Sequence, residues 1–89
     1  MFVVCGEALY DIFIDGYAGT SVGMTARQGG SPFNVAIGLA RLGTRSALFT
    51  GLSTDPLGRQ LRATLEREGV ALDHCVDKAE ATTLVMRSE

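Results

Sequence analysis

Asp11, Asn34 and the glycine pair Gly29-Gly30 are the residues of this chain whose types and spacing could do chemistry. The pair opens the stretch Gly29-Gly30-Ser31-Pro32-Phe33-Asn34-Val35-Ala36, in which a backbone turn runs directly into the start of a helix. A helix N-terminus carries unpaired N–H groups and the positive end of the macrodipole, so it favours oxygen-rich ligands. Two readings of the glycines stand side by side. One is a tight turn that requires positive φ; the other is close approach of a ligand to bare backbone, with hinge freedom for the segment before it. Asn34, in the first turn, is a mediocre helix former, and its amide both donates and accepts, a pairing that suits a sugar hydroxyl. Asp11 follows an apolar segment. A surface carboxylate is the commoner role for such a residue, yet ligands of parallel α/β sheets bind beyond the carboxyl ends of strands, where Asp11 would fall.

Other chemistries find little support. The chain has no G-x-x-x-x-G-K-[ST] loop and no G-x-G-x-x-G run, so neither common phosphate cradle is present. His74 is the sole histidine, which excludes a multi-histidine metal site, and its neighbours Asp73 and Cys75 give it no positional support as a catalytic base. Cys5 and Cys75 lie far apart and form no CxxC or metal-ligand pattern, so free thiols in a reducing compartment are expected. Eight basic against ten acidic residues give a net charge of −2, with Lys78 the only lysine. That balance argues against a nucleic-acid partner. No apolar run approaches the roughly 20 residues that cross a bilayer. The N-terminus lacks the basic start of a secretory signal, so no membrane partner and a cytoplasmic location are expected.

The elements that position these residues follow from local pattern. Eighty-nine residues, 46% hydrophobic and 20% charged, fit one small globular unit. Phe2-Val3-Val4-Cys5 is a continuous apolar run that predicts a strand buried on both faces. A second extended segment begins at Leu9, and 21–28 forms a further extended arm, with Gly16, Gly19 and Gly23 between or within them. Two such arms about a glycine-rich turn predict a hairpin-like flap, with Asp15 before Gly16 as a turn residue. Ser31 is the expected N-cap of the first helix and Pro32 its N1, which puts Asn34 at N3. Val35, Ala36, Ile37, Leu39, Ala40 and Leu42 form its apolar side, and Gly43 ends it. The segment 46–52 reads as a strand. Asp55 then caps a second helix with Pro56 at N1, Leu57, Leu61 and Leu65 on one face, and Gly69 at its end. A last strand is expected over 83–87. Strand, flap, helix, strand, helix, strand is an α/β order, and crossover helices imply a largely parallel sheet.

Several segments together resemble the ribokinase-like (PfkB) family of carbohydrate kinases, and within it the fructokinases. They are Gly6-Glu7-Ala8-Leu9-Tyr10-Asp11, the Gly29 to Ala36 stretch, Gly38-Leu39-Ala40-Arg41-Leu42-Gly43, Asp55-Pro56-Leu57-Gly58 and Thr82-Thr83-Leu84-Val85. One departure is visible: the family's usual glycine before the D-P-x-G segment is replaced by Ser53-Thr54. The resemblance implies a central, mostly parallel sheet with flanking helices and a small β lid, to which about 12–28 contributes, with a hinge at the glycine pair. It implies ATP-dependent phosphorylation of a sugar hydroxyl, with Asp11, Gly29, Gly30 and Asn34 on the sugar. Such a lid excludes water, protecting the phosphate from hydrolysis. Relatives also use the lid for homodimer contacts. Ribokinases usually carry lysine at the place of Ser31; Glu7 and Ser31-Pro32 lean toward fructokinase, with 2-keto-3-deoxygluconate kinase next.

The resemblance also implies that parts lie elsewhere. The family's catalytic aspartate, in a G-A-G-D-like motif, and its anion and nucleotide sites have no counterpart in 1–89. No catalytic, cofactor-binding or metal-ligating residue is therefore expected in this chain, and ATP and Mg²⁺ would be held outside it. A strand-like run to its end reads as an N-terminal part of such a domain, inactive alone. A self-standing sugar-binding or assembly module is the reading from a different class.

Overall fold

The computed structural model describes residues 1–88. Its elements run β1 (Phe2–Cys5), β2 (Leu9–Ala18), β3 (Ser21–Gly29), α1 (Ser31–Arg41), β4 (Ser46–Ser53), α2 (Pro56–Arg67), β5 (Cys75–Lys78) and β6 (Leu84–Arg87). They build two sheets. One is wholly parallel with order β1-β4-β5, and the other has order β3-β2-β6, with β2 antiparallel to β3 and parallel to β6.

The parallel sheet packs one face beneath both helices. Val4 pairs in register with Leu48, and side chains alternate along strands, so Val4, Leu48 and Leu52 share the face that meets Ala36, Ile37, Leu61 and Leu65. Leu48, Leu52, Leu61 and Leu65 are fully buried, and each contributes on the order of 2 kcal/mol of hydrophobic stabilisation. The opposite face is bare at Val3, Phe49 and Val76, all about half exposed, with His74 stacked on Phe49 at a ring-centroid distance of 6.3 Å. This corrects the expectation for β1. Its run is apolar throughout, but only Val4 reaches the core: Val3 and Cys5 point to the face away from the helices, and Phe2, on the side of Val4, is exposed at the start of the strand.

The helix ends follow the proline and glycine signals with one shift. Asp55 caps α2, accepting from the Gly58 amide at 2.7 Å, and Pro56 stands first in the helix. Gly58 is itself required, because a Cβ there would overlap the backbone oxygen of Ser53. In α1 the cap is Gly30, not Ser31, so Ser31 is N1, Pro32 N2 and Asn34 N4. The proline is equally tolerated at N2, since first-turn N–H groups have no intrahelical partner. The apolar side of α1 also turns: Phe33, Ala36 and Ile37 are buried, whereas Val35 and Leu42 are exposed.

The second sheet is built on a β2–β3 hairpin over 9–29, in the region where the β lid is expected over about 12–28. Gly19 and Thr20 form the two-residue turn, with Ala18 paired to Ser21. Asp15 is not a turn residue. It sits at a register shift between Ile14 and Gly16 and accepts from the Thr25 hydroxyl at 2.6 Å. Tyr10 and Ile12, at the hairpin's base, are buried in the same core as the helices. Sequence reading gave the last strand no sheet of its own; β6 joins the second sheet beside β2, and β5, unanticipated, takes the place beside β4.

Candidate functional site

Asp11 lies on β2 where the hairpin meets the body, and Gly29 closes β3 directly beside it. In the antiparallel register Leu9 faces Gly29 and Asp11 faces Arg27, which puts Leu9, Asp11, Arg27 and Gly29 on one side of the second sheet. The Asp11 carboxylate leans over Gly29: a Cβ on that glycine would stand 2.6 Å from Asp11 Oδ2. Gly29 is buried and does not adopt positive φ. Its need for glycine is one of space.

Gly30 differs in kind. Its φ of 101° lies in the region that disfavours a side chain, and a Cβ there would meet the Glu7 carbonyl oxygen at 2.6 Å. The two readings of the pair therefore divide between its members. Gly30 makes the turn; Gly29 makes room for a carboxylate. From Gly30 the chain passes into α1 with no side-chain cap and no acidic residue in the first turn. The first intrahelical bond runs from Asn34 N to Gly30 O at 3.0 Å. The Asn34 residue is exposed one turn into the helix. All four residues singled out from the sequence thus gather at one junction: Asp11 touching Gly29, Gly30 next in chain, and Asn34 bonded to Gly30 through the backbone.

Around them stands a polar wall that sequence reading missed. Arg87 Nε, from β6, donates to Asp11 Oδ1 at 2.7 Å. The Thr83 hydroxyl donates to Glu7 Oε2 at 2.7 Å. On the other side of the sheet, facing the core, Gln28 Nε2 donates to the Tyr10 hydroxyl at 3.0 Å, and that hydroxyl makes a long bond of 3.4 Å to the Leu57 carbonyl on α2. Nothing local marks these partners, because β2 and β6 are parallel neighbours some 75 residues apart in sequence.

Asp55 proves to be more than a cap. Its Oδ1 accepts from the Gly58 amide and from the Thr82 hydroxyl at 2.6 Å, and its Oδ2 accepts from the Thr82 amide at 2.9 Å. The two Thr82 donors, then the Gly58 amide, hold its pKa down at about 2. One carboxylate thereby starts α2 and anchors the chain just ahead of β6.

No group of three His, Cys, Asp or Glu suited to a metal ion occurs among the described residues. Cys5 and Cys75 are free thiols; burial pushes the Cys75 thiol up. No helix among the described residues is long and apolar enough to cross a membrane. Two concavities lie at the hairpin's outer end around Asp15, Gly16 and Tyr17, and neither includes Asp11, Gly29, Gly30 or Asn34.

Comparison with known proteins identifies the family of the chain. The family model described as pfkB family carbohydrate kinase matches residues 1–88. A fructokinase of Rhizobium leguminosarum bv. trifolii is 36% identical over 84 residues, which are 94% of this chain and 26% of that protein. The crystal structure of a fructokinase from Xylella fastidiosa with bound ATP superimposes with a TM-score of 0.85 at 31% identity, covering 96% of this chain and 28% of that one. The fructokinase of Halothermothrix orenii gives 0.84 at 34% identity, covering 96% and 32% respectively. The chain thus spans about a quarter of the length of the curated relatives it matches.

Proposed function

The chain belongs to the pfkB family of carbohydrate kinases, and from that premise we propose that it is the N-terminal, sugar-binding part of an ATP-dependent sugar kinase of the fructokinase type. The observation that carries this reading is the Asp11 carboxylate held over the bare backbone of Gly29, beside the uncapped start of α1. A carboxylate accepts from sugar hydroxyls, the Asn34 amide donates and accepts, and first-turn amides donate. Together these groups suit the acceptor side of a phosphoryl transfer, where catalysis depends on positioning and on charge stabilisation. The lid hairpin is rooted in the body by Tyr10 and Ile12 and projects beyond the site. Its role is to exclude water around the bound sugar.

The residues present do not fit the nucleotide or its metal. They offer no glycine-rich phosphate loop and, among the described residues, no carboxylate cluster. ATP, Mg²⁺ and the catalytic base belong to other parts of such an enzyme, and this chain alone is inactive. A sugar acid such as 2-keto-3-deoxygluconate is the second reading for the substrate. It is favoured by the guanidinium of Arg27, the register partner of Asp11 on β3, which makes no ion pair among the described residues. A non-catalytic sugar-binding or assembly module is the remaining alternative. The partner is a second copy of the chain, meeting it through the lid, where Met24, Leu84 and Met86 lie exposed on the side away from Asp11. A cytoplasmic location accompanies this reading.

A coupled ATP-consumption assay on the whole gene product, over a panel of keto-sugars, aldoses and sugar acids, tests it. Turnover of D-fructose is expected. Asp11→Ala and Asn34→Ala should each raise the sugar KM about tenfold or more, the loss of a hydrogen bond to a charged or amide group. Absence of turnover with every sugar, or a native KM in both variants, would refute the proposal.

A further inference from the structure

The Asp11 carboxylate is held from two sides by different means. Phe13 faces Arg87 in the parallel register of β2 and β6, so Asp11, two residues earlier on β2, is the diagonal neighbour of Arg87 on the same side of the sheet. Diagonal neighbours lie about 7–8 Å apart, a gap an arginine spans. Here Arg87 Nε meets Oδ1 at 2.7 Å, while Oδ2 rests over Gly29 on the opposite neighbouring strand. The two oxygens therefore have separate surroundings. Oδ1 is committed to a cation; Oδ2 lies at the junction with α1. Arg27, the register partner of Asp11 on β3, is exposed and makes no ion pair among the described residues.

Stability does not account well for the Arg87 contact. The arginine side chain is half exposed, and ion pairs in such settings contribute little to folding. A directed charge-assisted bond that selects one orientation of a carboxylate has a clearer use where a ligand must be met at a fixed angle.

We propose that Arg87 is a positioning residue for sugar binding: it ties Asp11 Oδ1 so that Oδ2, over the bare backbone of Gly29, is the oxygen presented to a sugar hydroxyl. The proposal rests on the reading of Asp11 as a sugar ligand. Because Arg87 sits on β6, it also makes the third lid strand part of the acceptor site. Arg87 touches Asp11 and acts through it.

A double-mutant cycle on the whole gene product, with D-fructose and ATP varied separately, tests this. Arg87→Ala should raise the fructose KM about tenfold, the effect of a misdirected charged hydrogen bond, while the ATP KM stays within about twofold. Arg87→Lys should recover part of the loss, since an ammonium can still reach the carboxylate. In an Asp11→Ala background the further Arg87→Ala change should alter the fructose KM by less than about twofold, because alanine offers Arg87 no acceptor and its route of action is gone. Multiplying penalties in the double variant, or a native fructose KM in Arg87→Ala, would overturn the proposal. A native fructose KM in Asp11→Ala alone would instead overturn the sugar-site reading beneath it. Thermal melts of each variant separate these results from misfolding.

Discussion

Alanine at Gly29 and alanine at Gly30 should fail in different ways, although the glycines are adjacent. At Gly29 the backbone conformation is open to any residue, so the only obstacle is the Asp11 carboxylate, whose Oδ2 would stand 2.6 Å from the new methyl. Ordinary contact needs about 3.5 Å, so the carboxylate must retreat by nearly an ångström. It can do so by rotating, at the expense of its 2.7 Å bond to Arg87. Folding should suffer by no more than about 1 kcal/mol, the usual range for strand positions. Sugar binding should suffer by about 2 kcal/mol, a 10- to 100-fold rise in sugar KM, as a hydrogen bond from a charged group is misplaced. At Gly30 the methyl meets the Glu7 carbonyl oxygen at 2.6 Å, and φ is 101°. Backbone cannot rotate away. The strained conformation costs about 1–3 kcal/mol before the collision is counted, so Gly30→Ala should lose stability first. Thermal melts by circular dichroism and sugar kinetics on the whole gene product separate the two. A Gly29→Ala variant with native sugar KM, or a Gly30→Ala variant that melts with wild type, would refute the division of roles.

The depressed pKa of Asp55 makes a pH prediction. Its contribution to stability is complete above the ordinary carboxylate value of 3.8 and is lost as pH falls through about 2, because the unfolded chain takes up the proton first. Asp55→Asn should therefore lower the melting temperature at neutral pH and flatten the acid limb between those values; an unaltered acid limb in urea melts would count against it. For the lid, Met24→Glu with Met86→Glu should shift the whole gene product toward monomer in light scattering, since both side chains are more than half exposed on one side of the sheet. An unchanged mass would remove that face from the interface.

Which parts of this arrangement could be read from the sequence depends on how local their causes are. Pro56 and Asp55, or Gly43 and Gly69 past the helix ends, act within one turn, and both helices stand where these residues put them. The cap of α1 slipped by a residue because Gly30 at positive φ, rather than the Ser31 hydroxyl, sets the entry. The strand β5 was missed because Val76-Asp77-Lys78 is short and half polar, without a face that alternation can reveal. The sheet that β6 joins could not be read at all. Parallel pairing with β2 is decided by the path of the chain between them, and no residue of Leu84–Arg87 encodes its partner.

The same distinction explains the site. Asp11, Gly29, Gly30 and Asn34 could be singled out because three of them lie within six residues and Asp11 interrupts an apolar segment, although it stands near the start of β2 and not beyond a carboxyl strand end. Arg87 and Thr83 could not, since their partners Asp11 and Glu7 lie 76 residues away in the chain. Yet these distant bonds connect the lid to the junction. Asp55 holds Thr82 to the start of α2, Thr83 reaches Glu7, and Arg87 reaches Asp11, so the segment 82–87 runs from the body, along the candidate site, into the lid. Asp11 on β2 and Arg87 on β6 belong to one sheet, so a displacement of the lid carries both together. Under the proposed function, closing over a sugar and aligning its ligand would then be one motion. Loss of Arg87 should leave that motion intact but the carboxylate free to turn, so that the lid closes over a misaligned ligand.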